Sequence, residues 1–441
     1  MCTTPARSEP NTIVLVNSKA EAIPRRRWRI AVLLGFGVLV NYFDRVNLSV
    51  SREALTQQFG ITTITFGYLL SAYSWTYAAM QIPSGVILDR LGVRRVIRGA
   101  TLLWSIASFF SAVSTGVGSF FCARLLLGIG EAPTFPGNAK AVGYWFPNSE
   151  RSLATAIFDA AAKFASAIGV PVMALLIVHF GWRRMFALTA AASFAYFLAF
   201  YFVYRNPGED AGLSEEERAY IAAGGAQSEK PVQGLALGYL LKQRKVWGLS
   251  LGSAAYNYCF YLLLTWLPSY LSAELHIDLL HSAFYTAIPW LVATFTDLLV
   301  GGWLVDALIQ RGYDANRVRQ SILVGGTVLG LGIFGAAGAR SISSALFWIS
   351  LSLGGLAAAA PVGWSVPSLI APRGTVGQIG GIANFCSQLA AISAPIFTGY
   401  VVSATHSFSG AFVLAAGILL IGIFGYVALL GRIEPIPEPA R

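Results

Sequence analysis

The sequence predicts an all-α integral membrane protein, with twelve transmembrane helices in two pseudo-symmetric six-helix bundles. Three observations carry this prediction: an apolar composition, twelve separate apolar runs of spanning length, and a one-sided distribution of basic residues. Of the 441 residues, 55% are hydrophobic and 12% charged, and the mean hydropathy is +0.61. Soluble domains average about 25% charged residues. Disordered chains combine low hydrophobicity with high charge. Neither class fits. The cysteines at 2, 122, 259 and 386 have no metal spacing, and no disulfide framework is expected. The polar stretch 1–24 is not expected to be a cleavable signal peptide.

Crossing a bilayer takes about 20 mostly apolar residues. Such runs lie near 30–50, 64–88, 96–115, 119–143, 153–178 and 183–204, then near 246–271, 282–306, 319–338, 343–370, 375–403 and 409–431. Those near 119–143 and 343–370 are the least clean, because they carry polar or Pro residues. The expected organisation is a tail (1–29), an N-terminal bundle (30–204), a polar linker (205–245), a C-terminal bundle (246–432) and a second tail (433–441). In the linker, Ser214-Glu215-Glu216-Glu217 has capping-box spacing and predicts a short surface helix.

Basic residues orient the spans, since Lys and Arg accumulate in cytoplasmic loops. With the N terminus inside, the cytoplasmic side holds Arg7, Lys19, Arg25, Arg26, Arg27 and Arg29 in the tail, then Arg90, Arg94, Arg95, Arg98 and Arg151. Six more stand in the linker, and Arg311, Arg317, Arg319, Arg373, Arg432 and Arg441 follow it. The outer side holds Arg52, Arg183, Arg184 and Arg340. Of 31 Lys and Arg, 23 are thus inside and four outside. Both termini are predicted to be cytoplasmic. The net charge of +10 records how the chain threads the membrane and is no nucleic-acid footprint. Four cations remain at membrane depth: Arg45, Arg124, Lys140 and Lys163.

The halves read as repeats. Gly85-Val86-Ile87-Leu88-Asp89 closes the second span, and Gly302-Trp303-Leu304-Val305-Asp306 closes the eighth, 217 residues later. Basic residues follow each. Repeats of spanning helices are typical of transporters, with the substrate site at the repeat interface near the midplane. The 45 glycines suit close helix packing, as at Gly377, Gly380 and Gly381. No phosphate-binding loop is present, which argues against ATP drive. The histidines at 179, 276, 281 and 406 lie in or near outer loops without metal spacing, which argues against a membrane enzyme.

The run from Gly85 through Asp89, Arg90, Gly92, Arg94 and Arg95 resembles the loop 2–3 signature of the major facilitator superfamily (G-x-x-x-D-R-x-G-x-R-R), and the twelve-span pattern extends that resemblance over the whole chain. A narrower resemblance is to its anion:cation symporter family, which includes bacterial sugar-acid/proton symporters. It rests on Asn41-Tyr42-Phe43-Asp44-Arg45-Val46-Asn47-Leu48-Ser49, Tyr77, Arg124, Gly128-Ile129-Gly130-Glu131-Ala132-Pro133, Trp364 and Asn384. The resemblance implies that Asp44 and Glu131 are proton sites and that Arg45 binds the substrate carboxylate. It also implies substrate contacts at Tyr77, Trp364 and Asn384. By the same resemblance Asp89, Arg90 and Arg94, with Gly85 and Gly92, form a cytoplasmic latch between the bundles.

The residues themselves support a site. An ionisable side chain within a span costs about 2.5–3.5 kcal/mol on insertion scales and so faces the interior or a cavity, usually with a partner. At 1.5 Å per residue, Asp44 lies about 22 Å and Glu131 about 18 Å from the cytoplasmic ends of their helices. The two are therefore expected to share one cavity. An anion that draws Arg45 from a carboxylate leaves that carboxylate readier for a proton, which is a route to coupling. The alternative is a buried ion network that only fixes packing. Arg124 lies on the same face as Glu131, either in the polar network at the outer end of the cavity or snorkelling to the interface. Lys140 is expected to snorkel. Asp159 and Lys163 are spaced i,i+4 in the favourable order, either as a self-neutralising pair or with Lys163 facing the cavity as a second cation. Relatives resembling this stretch carry Gln-Tyr where this chain has Ala162-Lys163, so the exact substrate is open here. Asp297 has no partner evident in sequence. Tyr42, Asn257, Tyr258, Tyr261, Ser365 and Gln388 add hydroxyl, amide and ring faces suited to a polyol acid.

The expected activity is secondary active, proton-coupled symport of an organic anion by alternating access. The expected substrate is an aldonate, aldarate or hexuronate. Another carboxylate (an aromatic acid or short dicarboxylate) and anion exchange are the alternatives. No enzymatic activity, cofactor, metal or nucleic-acid partner is expected. The partners are the anion, protons and the lipid bilayer, and the protein is expected to be a monomer of the inner (plasma) membrane.

Overall fold

The computed structural model describes residues 25–60, 63–227, 237–275, 279–405 and 407–438. Most of the N-terminal tail, Lys230, His276, His406 and the last residues of the second tail lie outside the described residues. The described chain is helical throughout: α1 (Arg26–Val50), α2 (Arg52–Phe59), α3 (Thr63–Leu91), α4 (Val93–Val113), α5 (Val117–Glu131), α6 (Thr134–Trp145), α7 (Arg151–Val203), α8 (Glu215–Ala223) and α9 (Leu237–Leu240). After these come α10 (Arg244–Leu275), α11 (Leu279–Thr296), a π-helical segment (Asp297–Leu304), α12 (Val305–Gln310), α13 (Ala315–Gly330), α14 (Ile333–Ala336), α15 (Ile342–Ile370), α16 (Val376–Thr405) and α17 (Ser409–Phe424). Helices are the natural outcome, because hydrocarbon leaves every backbone N–H and C=O to be satisfied within its own segment.

Each of the twelve expected runs falls on helix. Among the described residues, eight segments are long and apolar enough to cross a membrane by themselves. The other four expected spans are α3, α5 with α6, the first part of α7, and α10. The fourth span is broken between α5 and α6, which have 15 and 12 residues and are each too short to span alone, while α3, the first part of α7 and α10 carry Gln81, Asp159, Lys163 and Tyr256, polar groups that dilute their hydropathy. The fifth and sixth spans run together in α7 and divide at Gly181, whose φ of 76° is outside helical space and favours glycine. In the linker, Ser214 Oγ accepts from Glu217 N at 3.2 Å and caps α8. The Glu217 side chain turns away to α1, where it accepts from the backbone N–H groups of Arg26 and Arg27 at 3.0 and 3.1 Å and from Arg27 Nη1 at 3.0 Å. The linker thereby caps the first span.

The ends of the bundles near Asp89 and Asp306 are held together by two related devices. Asp89, at the end of α3, accepts from Gly377 N (3.0 Å) and Gln378 N (2.9 Å), the first turn of α16. Asp306, its counterpart, accepts from Ser152 N (3.3 Å) and Leu153 N (2.8 Å), the first turn of α7. A helix N-terminus offers unsatisfied N–H groups and a partial positive charge, so a carboxylate suits it. Each bundle thus caps a helix of the other. Lys140 is not a snorkelling residue: it is 4% exposed, and its Nζ donates to Asp89 Oδ1 at 2.5 Å and Leu88 O at 2.9 Å. Of the expected latch residues, Arg94 pairs with Glu209 of the linker rather than with the opposite bundle, and Arg90 is exposed. Gly92 has φ +77° at the turn between α3 and α4.

Gly85 makes this closure possible, since a Cβ there would meet Gly377 O at 2.2 Å. Gly85→Ala is expected to push α3 from α16 and release the Asp89 cap. Losing one charge-assisted hydrogen bond, about 1.5 kcal/mol, should speed hydrogen exchange at the Gly377 and Gln378 amides about tenfold, which mass spectrometry would read. Unchanged exchange there would show that the cap tolerates the added carbon.

Candidate functional site

Adjacent residues on α1 point apart. Asp44 is fully buried in a cage of neutral donors: its Oδ2 accepts from Trp104 Nε1 (2.6 Å), Ser193 Oγ (2.6 Å) and Ser108 Oγ (3.0 Å), and its Oδ1 from Asn47 Nδ2 (3.3 Å). Arg45 turns the other way. Its Nε donates to Glu131 Oε2 at 3.2 Å, and its guanidinium lies 4.6, 4.9 and 5.1 Å from the ring centroids of Tyr42, Tyr77 and Tyr73. Cation–π contact of this kind holds a guanidinium in place while leaving donors free. Arg45 Nη2 and Glu131 Oε1 indeed have no hydrogen-bond partner.

A cavity with about 370 Å³ of empty space opens beside Arg45. Tyr42, Arg45, Tyr77, Asp159, Lys163, Trp364 and Asn384 line it, as do Asn257, Tyr261 and Gln388. Both bundles therefore contribute to its wall. Across them, Asn384 Nδ2 donates to Gln81 Oε1 at 2.6 Å and reaches Tyr77 Oη at 3.5 Å. Trp364 stacks on Phe135 with centroids 4.9 Å apart.

Several expectations need correction. Asp44 and Glu131 do not share the cavity, because neither lines it. Glu131 sits behind Arg45, and Asp44 faces the interior between α1, α4 and α7. Arg124 does not snorkel. It is 2% exposed, and its Nη1 donates to the backbone O of Asp44 at 3.0 Å. Tyr258 and Ser365 are buried away from the cavity wall.

Lys163 does both things weighed for it. It lines the cavity, and its Nζ lies 2.6 Å from Asp159 Oδ2. It also lies 2.6 Å from Asp297 Oδ2, on the opposite bundle, at the first residue of the π-helical segment. All three side chains are buried: 1% for Lys163, 4% for Asp159 and 0% for Asp297. Lys163 thus pairs with two carboxylates, one more than its charge balances. Removing one partner of a buried ion pair costs about 3–5 kcal/mol. Lys163→Gln alone is therefore expected to lower thermal stability and yield. Lys163→Gln with both Asp159→Asn and Asp297→Asn removes the stranded charges, so it should recover yield and isolate the effect on substrate preference, read by competition for uptake. Full stability of the single variant would show that the triad carries little of the packing.

Sequence reading missed Tyr73, Gln81 and Tyr256. Tyr73, Tyr77 and Gln81 recur every four residues on one face of α3, and Tyr256 and Phe260 do so on α10, so helical spacing was the available signal. Of the donors caging Asp44, Trp104, Ser108 and Ser193 carried no signal from so distant a part of the chain. Among the described residues, no group of His, Cys, Asp and Glu has the arrangement of a metal site.

A charged, polar cavity between two helical bundles, sealed at one face by capped helix ends, is the architecture of a membrane transporter and not of an enzyme. The chain belongs to the major facilitator superfamily, whose family model matches residues 34–395. It is 37% identical over 414 residues to the uncharacterized transporter YybO of Bacillus subtilis, covering 93% of this chain and 95% of that one. It is 32% identical over 421 residues to a D-galactonate transporter of Escherichia coli O6:H1, covering 93% and 97%. Identity to a probable galactarate/D-glucarate transporter, GudP of Bacillus subtilis, is 31% over 428 residues, covering 93% of each chain. Among solved structures, the proton:xylose symporter XylE superposes with a TM-score of 0.75 at 16% identity, covering 93% of this chain and 97% of that one, which speaks to the fold alone.

Proposed function

We propose that the protein is a proton-coupled symporter of an organic anion, with a sugar acid (an aldonate, aldarate or hexuronate) as substrate, working by alternating access as a member of the anion:cation symporter family. The observation that carries this reading is Arg45: a residue of the cavity wall whose guanidinium is held among three tyrosine rings, with one buried donor left unpaired and Glu131 at its Nε. An arriving carboxylate competes with Glu131 for the guanidinium. As it wins, Glu131 becomes free to take a proton, so anion and proton bind together by reciprocal linkage. The hydroxyl and amide groups of Tyr77, Asn257, Asn384 and Gln388 suit a polyol chain, and two of the relatives named above carry sugar-acid substrates in their names. Asp44, in its neutral cage, is the second proton site on this reading, and Arg124 joins it to the Glu131 side.

The Asp89 and Asp306 caps then serve as the latch that closes the cytoplasmic face while the site is loaded. Both termini are assigned to the cytoplasm of a cell whose inner membrane holds the protein. The test is uptake of D-galactonate and related acids into proteoliposomes under an imposed pH gradient. Accumulation should follow an inward proton gradient. Uptake of every accepted anion that ignores the gradient would leave exchange as the mechanism.

A further inference from the structure

The buried triad on the cavity wall has one more carboxylate than it has cations. Asp159 and Asp297 each lie 2.6 Å from the single ammonium of Lys163, and Asp297 Oδ1 accepts no hydrogen bond. Lys163 and Asp159 face the same cavity as Arg45, whereas Asp297 stands behind the lysine. The cavity therefore has two cations on its wall, each already engaged by protein carboxylate. The nearest further ionisable group is Tyr256 of α10, whose ring centroid lies 5.7 Å from Lys163 Nζ. The helix α15, packed against the π-helical segment, has no ionisable side chain. On α11, His281 and Tyr285 precede Asp297 by roughly 18 Å or more of helix, and Asp306 on α12 follows it by roughly 13 Å. The triad is thus a closed set of three charges.

We propose that Lys163, Asp159 and Asp297 form a second carboxylate-binding subsite, which receives the far carboxylate of a dicarboxylate substrate only as Asp297 or Asp159 takes up a proton. The inference rests on the reading of Arg45 as receptor for the first carboxylate. With both acids ionised, a third carboxylate at Lys163 meets two buried negative charges and only one positive. A proton on Asp297 removes one of them, and the ammonium, no longer balanced from behind, meets the substrate carboxylate on its cavity side beside Asp159. The proton forms an O–H bond on a carboxylate oxygen and comes from the aqueous cavity, onto which Asp159 opens; no other bond is made or broken. A monocarboxylate leaves Lys163 with its two acids and needs no such proton. The π-helical start at Asp297 fits this use, since single π turns recur where a side chain must be aimed at a site.

The experiment is titration calorimetry of the purified full chain with D-galactonate and with D-glucarate, each in two buffers of different ionisation enthalpy, which counts the protons taken up on binding. Wild-type protein should take up one proton more with D-glucarate than with D-galactonate. In Asp297→Asn, Lys163 keeps Asp159 as a neutral pair, so its cavity side meets the substrate carboxylate without the second buried charge behind it. That extra proton should vanish, and D-glucarate affinity should lose a tenfold dependence per pH unit. Asp297→Glu should restore both. Equal proton uptake for the two anions in wild type overturns the proposal, and so does an extra proton that persists in Asp297→Asn. If that variant fails to bind D-galactonate and is therefore misfolded, the wild-type comparison decides alone. Proton-linked D-galactonate binding with no excess for D-glucarate sinks only this inference. Failure of both anions to bind sinks the sugar-acid reading and this inference with it.

Discussion

Arg45→Ala is expected to weaken anion binding by about ten- to a hundredfold. A hydrogen-bonded contact between guanidinium and carboxylate is worth about 1.5–3 kcal/mol, and each 1.4 kcal/mol is a factor of ten. The same change strands Glu131, which is 0% exposed and draws its hydrogen bond from Arg45 Nε. Loss of binding and loss of fold must therefore be separated. Arg45→Ala combined with Glu131→Gln removes the orphaned charge, so its melting temperature should return toward wild type while binding stays weak. Arg45→Lys keeps the charge but not the planar fork or its seat among three tyrosine rings, and should recover only part of the affinity. Near-normal affinity in Arg45→Ala, by calorimetry on the purified protein, would refute the role.

The fold was legible because the membrane imposes a strong code. Length, apolarity and the side chosen by Lys and Arg are each recorded locally in the chain, so every expected span falls on helix. Even the join between the fifth and sixth spans left its mark, in Gly181. The spans that do not stand alone as apolar helices are those with work to do: the one carrying Arg124 and Glu131 is broken after Glu131, and Asp159 and Lys163 dilute the first part of α7. The site was legible for a related reason. A charge in an apolar run is conspicuous, so Arg45 and Lys163 stood out, and both line the cavity.

Partnership was not legible. Asp44 and Arg45 are neighbours in sequence yet serve different walls, because successive residues on a helix point about 100° apart. Lys163 announced Asp159, four residues before it on the same face, but not Asp297, which only the approach of the second bundle brings to 2.6 Å. Aromatic residues make up 13% of the chain, so Tyr73 and Tyr256 had no contrast against that background. Their roles depend on what stands opposite them in space.

Glu131→Gln is expected to separate binding from coupling. In wild type the anion must displace Glu131 from Arg45, so the net gain on binding depends on whether a proton is available to the displaced carboxylate. The amide of Gln can still accept from Arg45 Nε but carries no charge to be compensated. Binding should therefore persist, at equal or higher affinity, and its response to pH should flatten to whatever Asp44 and the Lys163 triad retain. Transport should change character as well. With the proton site gone, an imposed inward proton gradient no longer does work on the anion, and accumulation should fall by an order of magnitude or more, about 1.4 kcal/mol of lost drive for each factor of ten. Exchange of external for internal anion needs no net proton movement and should continue. Proteoliposomes read both, as accumulation under a pH gradient and as counterflow without one. Accumulation undiminished in Glu131→Gln would shift the coupling to Asp44 in its cage of Trp104, Ser108 and Ser193. Loss of counterflow together with accumulation would instead mean that Glu131 holds Arg45 in place for binding, with no proton carried.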